Sequence, residues 1–177
     1  MTQKLYFDDP DVGPARETSH PRFIAFAPDE FYYDCTDEFS PFGNDDGADT
    51  LAGLEEWYQE GGEGSVANFL SDFLEGWSLP VPREELKHDT AFREVWLSRD
   101  HMNERYWAGE CRAALAAAFG QLKIAGEIEP AVRAEGLAAL ANLLWLNARA
   151  SELQGNDEAL AHEKARFETM QVALQRS

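Results

Sequence analysis

The chain has 177 residues, with 33 Asp or Glu against 15 Lys or Arg, a formal net charge of −18 and a pI near 4.4. At this length one compact domain is expected, burying roughly 70% of the surface the unfolded chain exposes without help from a disulfide or metal. A hydrophobic content of 44% with 12% aromatics excludes a disordered chain, and the longest apolar stretches, residues 113–120 and 137–146, fall far short of the roughly 20 residues of a membrane span.

Residues 1–43 are rich in proline and aromatics. Short runs at 4–7, 22–27 and 31–34 lie between Pro10, Pro14, Pro21, Pro28 and Pro41, a pattern that predicts edge-type strands or extended segments. Phe23, Phe26, Phe31, Tyr32, Tyr33, Phe39 and Phe42 are too many rings to leave in water, so this arm is expected to lie on a helical body formed by residues 44–177. There, Asn44, Asp45, Asp46 and Asp49 supply the acceptors and negative charge that suit a first helical turn. Leu51, Leu54 and Tyr58 then follow at helical spacing, which predicts a helix to about residue 60.

The glycines at 61, 62 and 64 break that helix, Ser65 offers a new N-cap, and Val66, Phe69, Leu70, Phe73, Leu74 and Trp77 form an apolar stripe at helical spacing. Residues 83–98 read as a third helix, weakest around His88 and Asp89. Residues 103–125 make a fourth, Ala-rich helix whose small side chains let a neighbour come close, so it should be central. Pro130 sits at the first turn of a fifth helix, residues 131–153. Asn156 caps the last, residues 157–175. The expected architecture is mainly α, a bundle of five or six helices with a short β or extended N-terminal arm, in a single domain over 1–177.

The charge is uneven. Residues 1–79 carry 18 acidic and three basic side chains, whereas residues 80–177 carry 15 acidic and 12 basic ones. Such a field repels phosphate backbones and anionic lipid, which disfavours direct nucleic-acid or membrane binding and makes a basic protein the natural partner. No basic stretch leads into an apolar segment near Met1, so no secretory signal is expected. Cys35 and Cys111, well separated, read as reduced thiols, so a cytoplasmic location is expected.

Several chemical constellations have plainer readings. The carboxylates Asp45, Asp46 and Asp49 resemble a calcium loop in density only. With Asp45 at position 1, Gly47 falls at position 3 and Thr50 stands where the turn glycine belongs, and a helix start accounts for the same residues without an ion. His88 and Asp89, with His20, His101 and Asp157, form a loose counterpart of a helical metal-dependent phosphohydrolase set. The pair Glu60 and Glu63 lacks the second half of a pyrophosphohydrolase carboxylate set. No nucleophile elbow, phosphate loop or dinucleotide fingerprint occurs, and no motif calls for a cofactor. Cys111, in the Ala-rich helix, reads as a small buried hydrophobe. Trp57 and Trp107 lie beside the main stripes of their helices and are candidate partner anchors, whereas Trp77, Trp96 and Trp145 read as core.

The stretch from Ser40 through Phe42, Asn44, Asp45 and Ala48 to Asp49, followed by Leu51 and Leu54, resembles the Phe-x-Asn-Asp-x-Ala-Asp helix start of a family of small bacterial domains of unknown function. Residues 109–126 and 150–153 are similar to later segments of that family. The Trp-Gly opening of those domains is absent, its place taken by the aromatic arm of residues 22–42, and the resemblance implies no established activity.

Two function classes follow. In the first, Asp34, Asp37, Glu38, Asp45, Asp46, Asp49, Glu55 and Glu56 steer a basic partner such as a toxin or nucleic-acid-binding protein, with Trp57 or Tyr58 as short-range anchor. An immunity protein masking a nuclease toxin is one concrete instance. In the second, Asp45, Asp46 and Asp49, or His88 and Asp89, hold a metal for phosphoester hydrolysis.

Overall fold

The computed structural model describes residues 4–155 and 157–177. Among these the chain forms eight α-helices: α1 (Pro21–Phe26), α2 (Asp45–Gln59), α3 (Val66–Gly76), α4 (Arg83–His88), α5 (Thr90–Arg99), α6 (Asn103–Ala125), α7 (Pro130–Gln154) and α8 (Glu158–Arg176), with a 3-10 turn at Glu30–Tyr33. The fold is mainly α, and no strand is formed among the described residues. An isolated antiparallel bridge joins Asp9 and Gly13. Among the described residues no helix is long and apolar enough to cross a membrane.

Helix α6 is the axis of the molecule. Eighteen of its 23 residues are buried, because α2 and α7 flank it along its length and α1, α3 and α5 cover the rest. A helix enclosed on all sides needs small side chains to let its neighbours in, and Ala113, Ala116, Ala117 and Ala118 are fully buried. A Cβ on Gly120 would lie 3.1 Å from Leu54 of α2, and one on Gly136 of α7 would lie 2.9 Å from the Ala118 Cβ. Gly126, at φ +73°, stops the helix by turning left-handed while its N–H bonds back to the Leu122 carbonyl.

Helix starts follow local chemistry. The Asn44 side chain accepts from the Gly47 N–H at 2.8 Å, with Asp45 and Asp46 in the first turn of α2. Ser65 accepts from the Asn68 N–H to open α3, and the Glu129 carboxylate takes the Val66 and Ala67 N–H groups from across the bundle. Pro130 occupies the first turn of α7. The Asp157 carboxylate caps α8 by accepting from the Leu160 N–H; the expected cap, Asn156, lies outside the described residues.

Three expectations are corrected. Residues 22–27 are not extended: α1 forms because Pro21 sits at a first-turn position, where its missing N–H is no loss, and His20 Nδ1 accepts from the Arg22 N–H. Tyr32 and Tyr33 lie in the 3-10 turn, not a strand. The third helix is two, α4 and α5, because Asp89 turns its carboxylate to the Phe92 N–H and caps a new helix instead of continuing the old one. The arm does pack on the body: Phe23, Phe31, Tyr32 and Phe42 are buried in the common core.

Candidate functional site

With far fewer bases than acids, the placement of the bases decides which carboxylates stay free. Most of the cations in the C-terminal half are spent internally. Arg83 holds Glu110 in a two-pronged pair at 2.7 Å, and Arg149 reaches both Glu94 and Glu104. Arg105 clamps Asp46 through both oxygens, and Arg166 binds Asp37 at 3.0 Å. Arg93 lies over the adjoining rings of Trp107 and Trp145, 5.3 Å from each centroid. Asp45, Asp49 and Glu56 receive none of this compensation: they are exposed, and no ion pair forms at them among the described residues.

These three lie together on α2. At about 100° per residue, Asp45, Asp49 and Glu56 fall within one narrow stripe, the outward crest of the helix. Thr50, Leu51 and Leu54 face inward and are buried. One flank of the crest carries Gly53 and Trp57 and meets α3. There the rings of Tyr58, Trp57, Phe69, Phe73 and Trp77 form a continuous half-exposed seam with centroids 4.9 to 5.9 Å apart. Gly53 lets this seam close, since a Cβ there would stand 2.9 Å from the Phe73 ring.

The other flank borders a groove of about 560 Å³ between α2 and the N-terminal arm. Asp8, Asp9, Glu55 and Glu56 line it together with Phe42 and Leu51, and among the described residues no Lys, Arg or His does. Behind its wall lies a buried cluster. Lys123 of α6, fully buried, donates to Asp8 Oδ1 at 2.6 Å, Thr18 Oγ1 donates to the same oxygen, and the Asp8 N–H donates to the Glu55 carboxylate at 3.0 Å. Burial lifts the Glu55 carboxyl above the ordinary Glu range and the nearby Asp8 charge adds to the lift, while the Asp8 N–H and Lys123 oppose it.

The residues singled out from sequence divide accordingly. Asp45, Asp49 and Glu56 form the crest, and Glu55 stands half-buried in the groove wall. Asp46 and Asp37 are taken up by Arg105 and Arg166. Asp34 accepts from Thr36, whose N–H and hydroxyl hold its carboxyl below the usual range; Glu38 is exposed in the loop before α2. Trp57 is a half-exposed member of the seam, whereas Tyr58 turns inward toward Gln121 and burial pushes its hydroxyl up to about 12. Trp107, expected as an anchor, is instead 4% exposed and part of the core.

The metal reading does not find its geometry. The Asp46 carboxylate is held by Arg105, and Asp89 caps α5. Among the described residues no three His, Cys, Asp or Glu side chains converge as a metal site requires. Asp8 and Asp9 were missed as site residues because nothing local marks them. The available signal lay elsewhere: Lys123 stands between Leu122 and Ile124 in the buried, Ala-rich half of α6, where an ammonium calls for a carboxylate partner.

Comparison with known proteins adds one relative. The chain is 33% identical over 139 residues to the uncharacterized protein YfeS of Escherichia coli (strain K12), an overlap that takes in 78% of this chain. The chain spans about half the length of that relative, 55% of it. No family model matches the chain, and no solved structure does.

Proposed function

We propose that the protein is an interaction module that docks a basic protein partner on the exposed side of α2, acting in the cytoplasm. The observation that carries this reading is the contrast between carboxylates. Arginines take up Asp37, Asp46, Glu94, Glu104 and Glu110, while the α2 crest presents Asp45, Asp49 and Glu56 with no ion pair among the described residues, between a half-exposed aromatic seam and an acid-lined groove. The crest steers a cationic surface in, and the seam supplies apolar contact once it arrives. Masking a nuclease toxin is the concrete form such docking takes in an immunity protein.

The test is affinity capture from the native host with wild type, with D45K/D49K, and with the remote control E152K/E168K. A basic protein should be recovered by wild type and by the control at low salt. It should be lost from D45K/D49K, and lost from wild type near 1 M salt, where screening acts within about 3 Å. Recovery that ignores both the crest charges and salt overturns the reading.

A further inference from the structure

The groove beside α2 has a chemistry narrower than general acidity. Three carboxylates, Asp9 and Glu56 near its mouth and Glu55 more deeply set, line it together with the buried apolar residues Phe42 and Leu51, and the Asp8 carboxylate stands in the wall behind them. The apolar lining excludes a fully hydrated cation as its best occupant, since such an ion gains nothing from Phe42. The walls exclude a purely apolar one. What satisfies both is a cationic head on an aliphatic stem, the snorkelling geometry of lysine.

A second observation is independent of the surface acids. The Asp8 side chain is 7% exposed, and its Oδ2 is shielded from solvent yet accepts no hydrogen bond among the described residues. Buried carboxylate oxygens are ordinarily satisfied. Lys123 serves only Oδ1, and with Glu55 adjoining, two carboxylates stand against one ammonium at this wall. An added cation in the groove offsets that excess.

We propose that the groove receives a lysine side chain presented by the basic protein partner, its methylenes on Phe42 and Leu51 and its ammonium among Asp9, Glu55 and Glu56. This rests on the docking reading of α2 and adds to it a pocket with a defined occupant. Lysine suits the groove better than arginine because a compact ammonium can be shared among carboxylates that come from separate elements, whereas the planar guanidinium fork is matched to one carboxylate.

The test uses the full chain and small probes, followed by the methyl resonances of Ala48, Leu51 and Ala52. Nα-acetyl-lysine N-methylamide should bind saturably with a dissociation constant on the order of 1 mM, and the norleucine analogue, with the same stem and no charge, at least about tenfold more weakly. E56Q should weaken the lysine probe, and A52W, which fills the groove from an exposed position, should abolish its binding while the far-ultraviolet spectrum stays unchanged. D45K/D49K should leave probe binding within a few-fold of wild type, which separates the two ideas. If that variant loses the protein partner while wild type shows no saturable shift with up to about 100 mM lysine probe, the docking reading stands and the groove assignment falls. Equal binding of the norleucine analogue, or butane-1,4-diamine binding tenfold or more tightly than the lysine probe, also overturns it.

Discussion

The ion pair between Lys123 and Asp8 fastens the N-terminal arm to the central helix, and a double-mutant cycle measures how much. The Lys123 side chain is 0% exposed and Asp8 7%, with Nζ 2.6 Å from Oδ1. The variant K123M leaves a buried carboxylate beside Glu55 with no base, and D8N leaves a buried ammonium with no counter-charge on its partner, only the neutral amide oxygen of residue 8 and the Thr18 carbonyl. Removing one partner of such a pair costs about 3–5 kcal/mol, because the other charge is stranded. For a chain of this size that corresponds to a melting-temperature fall of roughly 6–20 °C. In the double variant D8N/K123M no charge is stranded, so its loss should be smaller than either single loss, with a coupling of several kcal/mol by urea unfolding. The result should persist in 1 M salt, since buried pairs are little screened. Two small losses that simply add would refute the placement of this pair in a dry interior.

Three further outcomes are expected. G126A forces a side chain into the left-handed region, which costs about 1–2 kcal/mol by itself, and its Cβ would overlap the His20 ring; H20A/G126A should recover the steric part but not the backbone part in thermal melts. Burial, and then the charge of Arg22, lowers the His20 pKa from 6.5, and Nδ1 must stay unprotonated to accept from the Arg22 N–H. The folded state therefore binds this proton less readily than the unfolded one, so the stability contribution is full above pH 6.5 and is lost as pH falls through the lowered value; H20N should flatten that slope between about pH 7.5 and pH 5. Burial pushes the Cys111 thiol up to about 12 while Cys35 is exposed, so Ellman's reagent should titrate one thiol quickly in the native protein and both after denaturation.

The helical body was legible because its signals are local. The periods of residues 66–77 and 103–125, the caps Asn44 and Ser65 and the first-turn Pro130 each act within a few residues of where they stand, and the structure keeps them. The arm was misread because proline marks both a strand edge and a first helical turn. Nothing in residues 21–26 alone separates the two, and the deciding bond, His20 N–H to the Lys123 carbonyl at 2.8 Å, comes from more than a hundred residues away. The Asp89 break was visible as a weak point but not as a cap, because an Asp within a helical run and an Asp opening a new helix look alike until its carboxylate is seen to meet the Phe92 N–H.

The proposed docking face depends on the same asymmetry between near and far. Composition counts carboxylates but does not distribute arginines among them. Asp46 and Asp49 are neighbours on one helix and look equivalent as sequence, yet Asp46 points toward α6, where Arg105 takes it, and Asp49 stays on the crest without an ion pair. The distinction arises from a helical offset of three residues, roughly 60° around the axis, which turns one carboxylate toward the bundle and the other toward solvent. Net charge therefore locates an acidic half of the chain, but a recognition surface exists only where tertiary packing leaves carboxylates without bases. On α2 that condition holds at Asp45, Asp49 and Glu56, and it makes the crest, not the summed charge of the N-terminal half, the quantity that charge reversal should reveal.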